Sequence, residues 1–248
     1  MTTVLKTSSK TSIGKLLRIP LRLIPQGTQL PVLSGPLKGK KWIVGSSVHG
    51  CWLGNYEKEI QTIFQKHLSP GKVAFDIGAN VGFYTLLAST LVGTTGKVVS
   101  FEPVPRNIAY LKEHMRINQI QNVTVLETAL SDNEGFTCFD EGPSHHEGRI
   151  RTSGTLKVST TSLDALYEKR ALPLPHWMKI DVEGAEYSVF AGSKTVINLA
   201  HPTILLSTHG YQERSSCLEW LSGAGYSITP LYGVEDSFDH LAVYNPKP

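Results

Sequence analysis

The chain has 248 residues, of which 40% are hydrophobic and 18% are charged, and its formal net charge is +3. This composition excludes a disordered polyelectrolyte, a collagen-like fibre and a coiled coil. No uninterrupted apolar run reaches the ~18 residues of a membrane-spanning helix, so we expect no integral membrane protein. The three cysteines lie far apart and in no metal-binding spacing. They favour a reducing compartment, and we expect a cytoplasmic protein.

Positive charge is concentrated at the start of the chain. The first 56 residues contain eight lysines and arginines and no acid, whereas the rest of the chain, from Glu57, carries an excess of acids. We predict a basic N-terminal arm over residues 1–34, a cap segment over residues 35–70 and a main domain over residues 71–248. The arm could contact an acidic membrane surface, but a solubilising role is the favoured interpretation. No pattern indicates an oligomeric state.

From Gly71 onward, short apolar runs alternate with helical stretches, which is typical of a parallel sheet with crossover helices. The runs predict seven strands, at residues 72–76, 97–101, 123–127, 177–181, 203–208, 226–229 and 240–245. Helices are predicted at residues 81–91 and 105–118, the second with Pro105 in its first turn. Residues 131–160 are polar and rich in glycine, and they include His145 and His146. We interpret this segment as a hairpin-like excursion that could face a substrate.

A glycine loop follows the first of these strands. The segment FDIGANVGF places Asp76 at the strand end and a helix start near Val81. Glycines let the backbone approach a ligand, and a helix N-terminus presents amides to polar groups. Glu102 ends the next strand, where a carboxylate can accept hydrogen bonds from both hydroxyls of a ribose. The loop and the acid together predict a site for a ligand that contains adenosine.

The spacing of the loop distinguishes between adenosine ligands. A dinucleotide site usually has G-x-G-x-x-G, whose amides cradle a pyrophosphate, whereas this loop has D-x-G-x-N-x-G. The carboxylate of Asp76 would repel a pyrophosphate but suits a ligand with a sulfonium and an ammonium. The loop therefore favours S-adenosylmethionine over a nicotinamide cofactor. A tight turn with a helix-capping acid is the alternative interpretation.

Four ordered segments, FDIGANVGFYT, VVSFEPVPRN, ETALSD and MKIDVEGAEYSVFAG, resemble the FkbM family of S-adenosylmethionine-dependent methyltransferases. The preceding GKKWIVGSSVHGCWLGNYE resembles the cap of that family. The resemblance implies a class I methyltransferase fold, a Rossmann-like, doubly wound α/β sheet of seven strands with the last strand antiparallel. It also implies the residues that bind the cofactor, namely Tyr56, Asp76, Gly78, Asn80, Gly82, Phe83, Glu102, Pro103, Ala129, Leu130 and Asp181.

Candidate catalytic residues stand at the ends of two later strands. Alternation along the fourth predicted strand puts Lys179 and Asp181 on one face. Asp181 or Glu183 could orient the acceptor hydroxyl, and Lys179 could stabilise a developing oxyanion. The alternative is an ion pair that only holds the strand end, with acids that stabilise a helix start. His209, after the fifth strand, is a candidate general base or acid.

Ser207 bears on whether a metal takes part. Members of the family often have a glutamate at this position, followed by a histidine such as His209. With serine, the site loses a hard anionic ligand for a divalent ion. We therefore predict no obligatory metal.

The sequence as a whole predicts a methyltransferase, with O-methylation of a hydroxyl on a sugar, glycolipid or secondary metabolite as the favoured reaction. The acceptor class follows from the resemblance alone. A nucleic-acid methyltransferase is one alternative, but Lys179-Ile-Asp181-Val stands where a base methyltransferase has N-P-P-[FY], so no nucleic-acid partner is expected. A non-catalytic module that binds an adenosine ligand is the other.

Overall fold

The computed structural model describes residues 21, 23–140, 149–150 and 156–245, which form two compact units, one ending at Tyr56 and one beginning at Glu57. In the smaller unit, strands β1 (Gln29–Pro31) and β2 (Lys41–Ile43) pair antiparallel, and a short helix α1 (Gly50–Leu53) follows. Most of the basic arm predicted over residues 1–34 lies outside the described residues. No described helix is both long enough and apolar enough to cross a membrane.

The boundary between the units falls earlier in the chain than the predicted end of the cap at residue 70. Helix α2 (Lys58–His67), which the sequence assigned to the cap, groups with the larger unit. The ring of Phe64 on this helix stacks on the ring of Tyr84, with 5.1 Å between the centroids. It also contacts the ring of Trp177 edge-on, at 5.0 Å between centroids. Because this aromatic face needs a partner for burial, the helix belongs with the core that covers it.

A seven-stranded sheet forms the centre of the larger unit. Its strands are β3 (Val73–Ile77), β4 (Lys97–Phe101), β5 (Val123–Leu126), β10 (Trp177–Ile180), β11 (Thr203–Ser207), β12 (Tyr226–Pro230) and β13 (Asp239–Tyr244). The order in the sheet is β12-β13-β11-β10-β3-β4-β5, and β13 runs antiparallel to both of its neighbours. The seven predicted strands and the reversed last strand are confirmed.

Helices connect the parallel strands. They are α3 (Phe83–Val92), α4 (Pro105–Ile117), α5 (Leu163–Glu168), α6 (Glu186–Ala191), α7 (Lys194–Ala200) and α8 (Tyr211–Gly223). Apolar residues of β3, β4, β10 and β11 form a continuous buried cluster with α6, α7 and α8. Helix α4 begins at its proline and buries Ile108, Leu111 and Met115, as their spacing predicted. A short 3₁₀ turn at Leu231–Gly233 follows β12.

The polar excursion forms a small sheet of its own. Strands β6 (Ala129–Leu130), β7 (Gly135–Asp140), β8 (Arg149–Ile150) and β9 (Leu156–Thr161) are arranged in the order β6-β9-β7-β8. The antiparallel pairing of β7 with β9 agrees with the predicted hairpin. His145 and His146 lie outside the described residues.

His114 gives the fold a pH-dependent stability. It is fully buried on α4, and its Nδ1 donates to the carbonyl oxygen of Val81 at 2.8 Å. Burial lowers the pKa of this imidazole to about 4, against an ordinary value of 6.5. The imidazole of His114 is therefore uncharged in the folded protein at neutral pH. Acid must protonate it in a site that disfavours the charge.

We expect the wild type to lose about 3 kcal/mol of unfolding free energy relative to His114→Asn as the pH falls from 7 to 4. The folded pKa lies below the unfolded pKa, so the contribution is complete above about pH 6.5 and is lost progressively towards pH 4. The asparagine amide can replace Nδ1 as a donor but does not titrate. Urea denaturation of both proteins at several pH values measures the difference, and parallel stability curves would contradict the assignment.

Candidate active site

The predicted site residues meet at one edge of the main sheet. Strands β3, β4, β10 and β11 are parallel, so their carboxyl ends lie at the same edge. In an α/β sheet, ligands bind at this edge, where the order of the strands reverses. Here the chain runs from β3 outward to β4 and β5 and then crosses to β10 on the other side of β3. The crevice therefore lies between β3 and β10.

The glycine loop after β3 fits tightly against the turn after β10. Gly78 has a φ of 81°, and a Cβ there would lie 1.9 Å from the carbonyl oxygen of Asp181. Only glycine allows both the left-handed conformation and this approach of two backbones. The glycine loop is therefore in direct backbone contact with Asp181, the residue that follows β10.

Glu102 holds the other side of the loop. Its side chain is buried, and Oε2 accepts the backbone N–H of Asn80 at 2.7 Å. Its Oε1 accepts the backbone N–H of Val104 at 3.0 Å and the amide of Asn107 at 3.2 Å. Burial raises the pKa of this carboxyl above its ordinary value, although the three hydrogen bonds oppose the shift. Both oxygens are therefore fixed at the tip of β4.

Asp76 is buried under the loop. Its Oδ2 accepts the hydroxyl of Thr85 at 2.6 Å, whereas its Oδ1 is buried without a hydrogen-bond partner in the described structure. Burial raises the pKa of Asp76, and the ammonium of Lys179 opposes this shift. A buried carboxylate oxygen without a donor is costly, so this atom marks a place where a ligand can contribute one.

Lys179, which is buried, and Asp181, which is 32% exposed, form an ion pair at the end of β10. The ammonium donates to Oδ2 of Asp181 at 2.9 Å and lies 4.9 Å from the centre of the Tyr84 ring. Burial lowers the pKa of Lys179, but Asp181 and Asp76 outweigh it and raise the value overall. Burial would raise the pKa of Asp181, but Lys179 and then His209 lower it. Both side chains therefore carry their charges at neutral pH.

His209 links three carboxylates next to this pair. Its Nδ1 donates to Oε1 of Glu186 at 2.8 Å, and its Nε2 lies 3.3 Å from Glu183 and 3.8 Å from Asp181. Burial lowers the pKa of the imidazole, but the hydrogen bond to Glu186 and the charges of Glu183 and Asp181 raise it overall. The fully buried Glu186 also accepts the N–H of Gly184 at 3.0 Å. It therefore fixes both the ring and the turn before α6.

The same cluster has the donor types of a metal site. Among the described residues, Asp181, Glu183 and His209 can each present a ligand atom, with all three atoms within 4.8 Å of one another. Ser207, which made us predict no obligatory metal, donates its hydroxyl to Oδ1 of Asp239 at 2.6 Å. The carboxylate of Asp239 stands opposite Ser207 in the register of β11 and β13.

Other predicted residues lie farther from this cluster or in a different part of the fold. Phe83 is buried at the start of α3, and Pro103 is half-buried after β4. Ala129 and Leu130 form β6, and the Leu130 side chain packs in the hydrophobic core. Tyr56 belongs to the smaller unit. The cofactor contacts of all these residues stay predictions.

Sequence reasoning did not single out two residues of the site. One is Glu186, which lies in the first turn of a helix, and no local signal shows that it holds His209 from 23 residues away. The other is Thr85, the third residue of α3, whose hydroxyl joins Asp76 to Ser100. A polar residue in a helix as apolar as α3 was the signal that could have found it.

Comparisons with known proteins agree on one family. The family model described as the methyltransferase FkbM domain matches residues 76–228, which is more than half of the chain. A hexuronic acid methyltransferase of Haloferax volcanii, AglP, is 27% identical over 184 residues, covering 73% of this chain and 74% of that protein.

Two solved structures share the fold. A methyltransferase FkbM from Methylobacillus flagellatus aligns with a TM-score of 0.54 at 16% identity, over 74% of this chain and half of the length of that one. An S-adenosylmethionine-dependent O-methyltransferase from Thermotoga maritima aligns with a TM-score of 0.50 at 12% identity, over 90% of this chain and 79% of that one. The sheet order and the family match together make the protein an S-adenosylmethionine-dependent methyltransferase. The chain belongs to the methyltransferase FkbM family.

Proposed function

We propose that the protein transfers a methyl group from S-adenosylmethionine to a hydroxyl of a sugar, with Asp181 as the residue that receives the hydroxyl proton. One observation carries the proposal. The Asp181 carboxylate follows β10, next to the glycine loop, and is 32% exposed, with Oδ2 held by Lys179 at 2.9 Å and Oδ1 3.8 Å from Nε2 of His209. A carboxylate fixed by one oxygen can present the other to an acceptor.

The residues present fit the cofactor. The Oδ1 atom of Asp76, which is buried without a hydrogen-bond partner in the described structure, suits a positively charged group, and Gly78 lets the loop approach the backbone of Asp181. Both oxygens of Glu102 are fixed at the edge, and Oε2, which accepts only the backbone N–H of Asn80, retains acceptor capacity for a ribose hydroxyl. Bound S-adenosylmethionine supplies an electrophilic methyl group on a sulfonium. The chain's part is to align the acceptor and take up its proton.

The proposed roles of the catalytic residues follow from their contacts. Oδ1 of Asp181 accepts the hydrogen bond of the acceptor hydroxyl and aims its oxygen. The proton passes to this carboxylate as the new C–O bond forms. Lys179 orients Asp181 instead of contacting an oxyanion itself, because its ammonium already donates to Oδ2. Nε2 of His209 lies 3.3 Å from Glu183 and 3.8 Å from Oδ1 of Asp181, next to the oxygen that receives the proton.

A sugar acceptor is supported by the relative from Haloferax volcanii, whose name gives hexuronic acid as its substrate class. Support also comes from the carboxylates and hydroxyls along the open part of the edge, which can accept and donate hydrogen bonds to a polyol. The family resemblance points to the same class.

The first prediction concerns the cofactor. We expect Glu102→Gln to weaken the binding of S-adenosylhomocysteine by about 10–100-fold, because charge-assisted hydrogen bonds contribute about 1.5–3 kcal/mol. Calorimetric titration measures the change, with NADH as a ligand that should not bind. Glu113→Gln is the matched control, since it removes an acid whose partner is Arg116 on the surface of α4. Equal affinities for the two variants would contradict the role of Glu102.

The second prediction separates chemistry from binding. Asp181→Asn should lower kcat by about 10²–10⁴-fold, the usual contribution of a general base, while S-adenosylhomocysteine still binds within about threefold of the wild type. The amide oxygen can still accept from Lys179, so the fold is preserved. Release of S-adenosylhomocysteine in the presence of acceptor measures kcat. Activity that survives the substitution would show that Asp181 is not the base.

The third prediction concerns metal. We infer that transfer needs no divalent ion, because the carboxylates of the cluster already have cationic partners in Lys179 and His209. Methyl transfer should therefore persist after dialysis against EDTA and should not increase on addition of Mg²⁺ or Mn²⁺. Loss of activity in EDTA, with recovery on addition of either ion, would identify Asp181, Glu183 and His209 as metal ligands.

A further inference from the structure

A cavity opens beside Asp181, on the side of β10 away from the glycine loop. The empty space in it, together with the space that opens to solvent in front of it, is about 290 Å³. Strands β10, β11 and β13, helix α2 and the turn after β12 contribute to its wall. The lining residues are Glu57, Ile60, Lys179, Asp181, Leu205, Ser207, Tyr232 and Asp239.

The position of the cavity matches what an acceptor site requires. Asp181 follows β10, which lies between β3 with its glycine loop and β11 with Ser207. Neighbouring strands are about 4.8 Å apart, so the cavity and the loop flank the same carboxylate from opposite sides. A molecule in the cavity could therefore bring a hydroxyl to Asp181 without crossing the loop.

The cavity is strongly acidic. Three carboxylates, those of Glu57, Asp181 and Asp239, line it, and among its described lining residues the only basic one is Lys179. The charge of that ammonium is balanced by Asp181, to which it donates at 2.9 Å, and by Asp76. The nearby guanidinium of Arg214 donates to the carbonyl oxygens of Ser237 and Glu235 and does not line the cavity. An anion entering the cavity would meet no uncommitted cation among these groups.

Tyr232 is affected by the same carboxylates, and its ring adds a flat apolar surface to the cavity wall. Burial, and then the carboxylates of Asp239, Glu57 and Glu59, raise the pKa of its phenol to about 12, so it stays neutral. Its backbone has φ 62° and ψ 10° inside the turn after β12, and half of the side chain is exposed. An aromatic ring at the rim of a polar cavity can pack on the C–H face of a sugar ring.

The polar groups of the wall suit hydroxyl partners. Oδ1 of Asp239 accepts the Ser207 hydroxyl at 2.6 Å, which leaves Oδ2 as an acceptor and the serine oxygen with a free lone pair. A hydroxyl group of an acceptor can donate a hydrogen bond to the carboxylates of the wall, whereas a carboxylate on the acceptor would be repelled by those carboxylates.

We propose that this cavity binds the acceptor and that the ring to be methylated carries no negative charge, which makes it a neutral or amino sugar and excludes a uronic acid. The assignment rests on the proposed sugar methyltransferase function and narrows it. Asp239 is the selectivity residue. Its carboxylate binds a hydroxyl of a neutral ring and repels the carboxylate of an oxidised one.

The test uses matched methyl glycosides of glucose, glucosamine and glucuronic acid, and the same three forms in the galactose series. Binding to the full-length protein saturated with S-adenosylhomocysteine is measured by saturation-transfer NMR and calorimetry, and turnover with S-adenosylmethionine is measured in parallel. We expect a neutral or amino form to bind at least tenfold more tightly than its uronate. Added salt should narrow that gap, because it screens the repulsion.

Two variants connect the selectivity to the cavity. Asp239→Asn should reduce the preference for the uncharged form by about tenfold, because it removes one carboxylate and keeps the shape of the side chain. Asp236→Asn is the control, since it removes the same charge from an exposed position three residues away, outside the cavity wall. The control should keep the wild-type preference.

The other outcomes separate this inference from the proposed function. If uronates bind or turn over as well as neutral sugars, the inference that the acceptor ring carries no negative charge is wrong, whereas the proposed sugar methylation is not contradicted. An unchanged preference in Asp239→Asn would overturn the assignment of the cavity. If S-adenosylhomocysteine binds but no sugar does, both the cavity assignment and the sugar acceptor fail, whereas the cofactor assignment remains.

Discussion

The buried ammonium of Lys179 is the constraint on which the site depends. Its side chain is only 4% exposed, at the end of a strand in the middle of the sheet. A buried charge without a partner costs several kcal/mol, so the fold must bring carboxylates to it. Asp181 follows Lys179 two residues later on the same face. Asp76 stands beside Lys179 in the register of β3 and β10. The positions of both acids are thus set by one lysine.

Topology explains why this cluster sits where the two substrates must meet. The strand order reverses between β3 and β10, so the loops that follow these strands turn away from each other and leave a crevice. Asp76 belongs to one side of the crevice and Lys179 to the other. Glycine at position 78 lets the two sides touch through their backbones. A side chain there would separate the loop from the strand that carries the proposed base.

The sequence was informative where the signal was local. The strands, the glycine loop, the acid at position 102 and the shared face of Lys179 and Asp181 all depend on periods and spacings within a few residues, and each is found in the structure. What could not be predicted depends on pairing between distant segments. Examples are Glu186 under His209, Asp239 opposite Ser207, and the grouping of α2 with the larger unit. These contacts follow from register and packing, which no single segment encodes.

Charge balance connects the two halves of the proposed reaction. The site holds more carboxylates than cations, which suits a positively charged cofactor next to an uncharged acceptor. In the proposed transfer the sulfonium charge disappears as the thioether forms, and the acceptor hydroxyl gives up a proton. Asp181 takes this proton, so the site gains one positive charge as the cofactor loses one.

A single carboxylate beside Lys179 would then leave the ammonium buried and unpaired. Asp76 prevents this, because it remains next to Lys179 when Asp181 is neutral. The pair of acids therefore lets the site change its protonation state during the reaction without leaving a buried charge unbalanced.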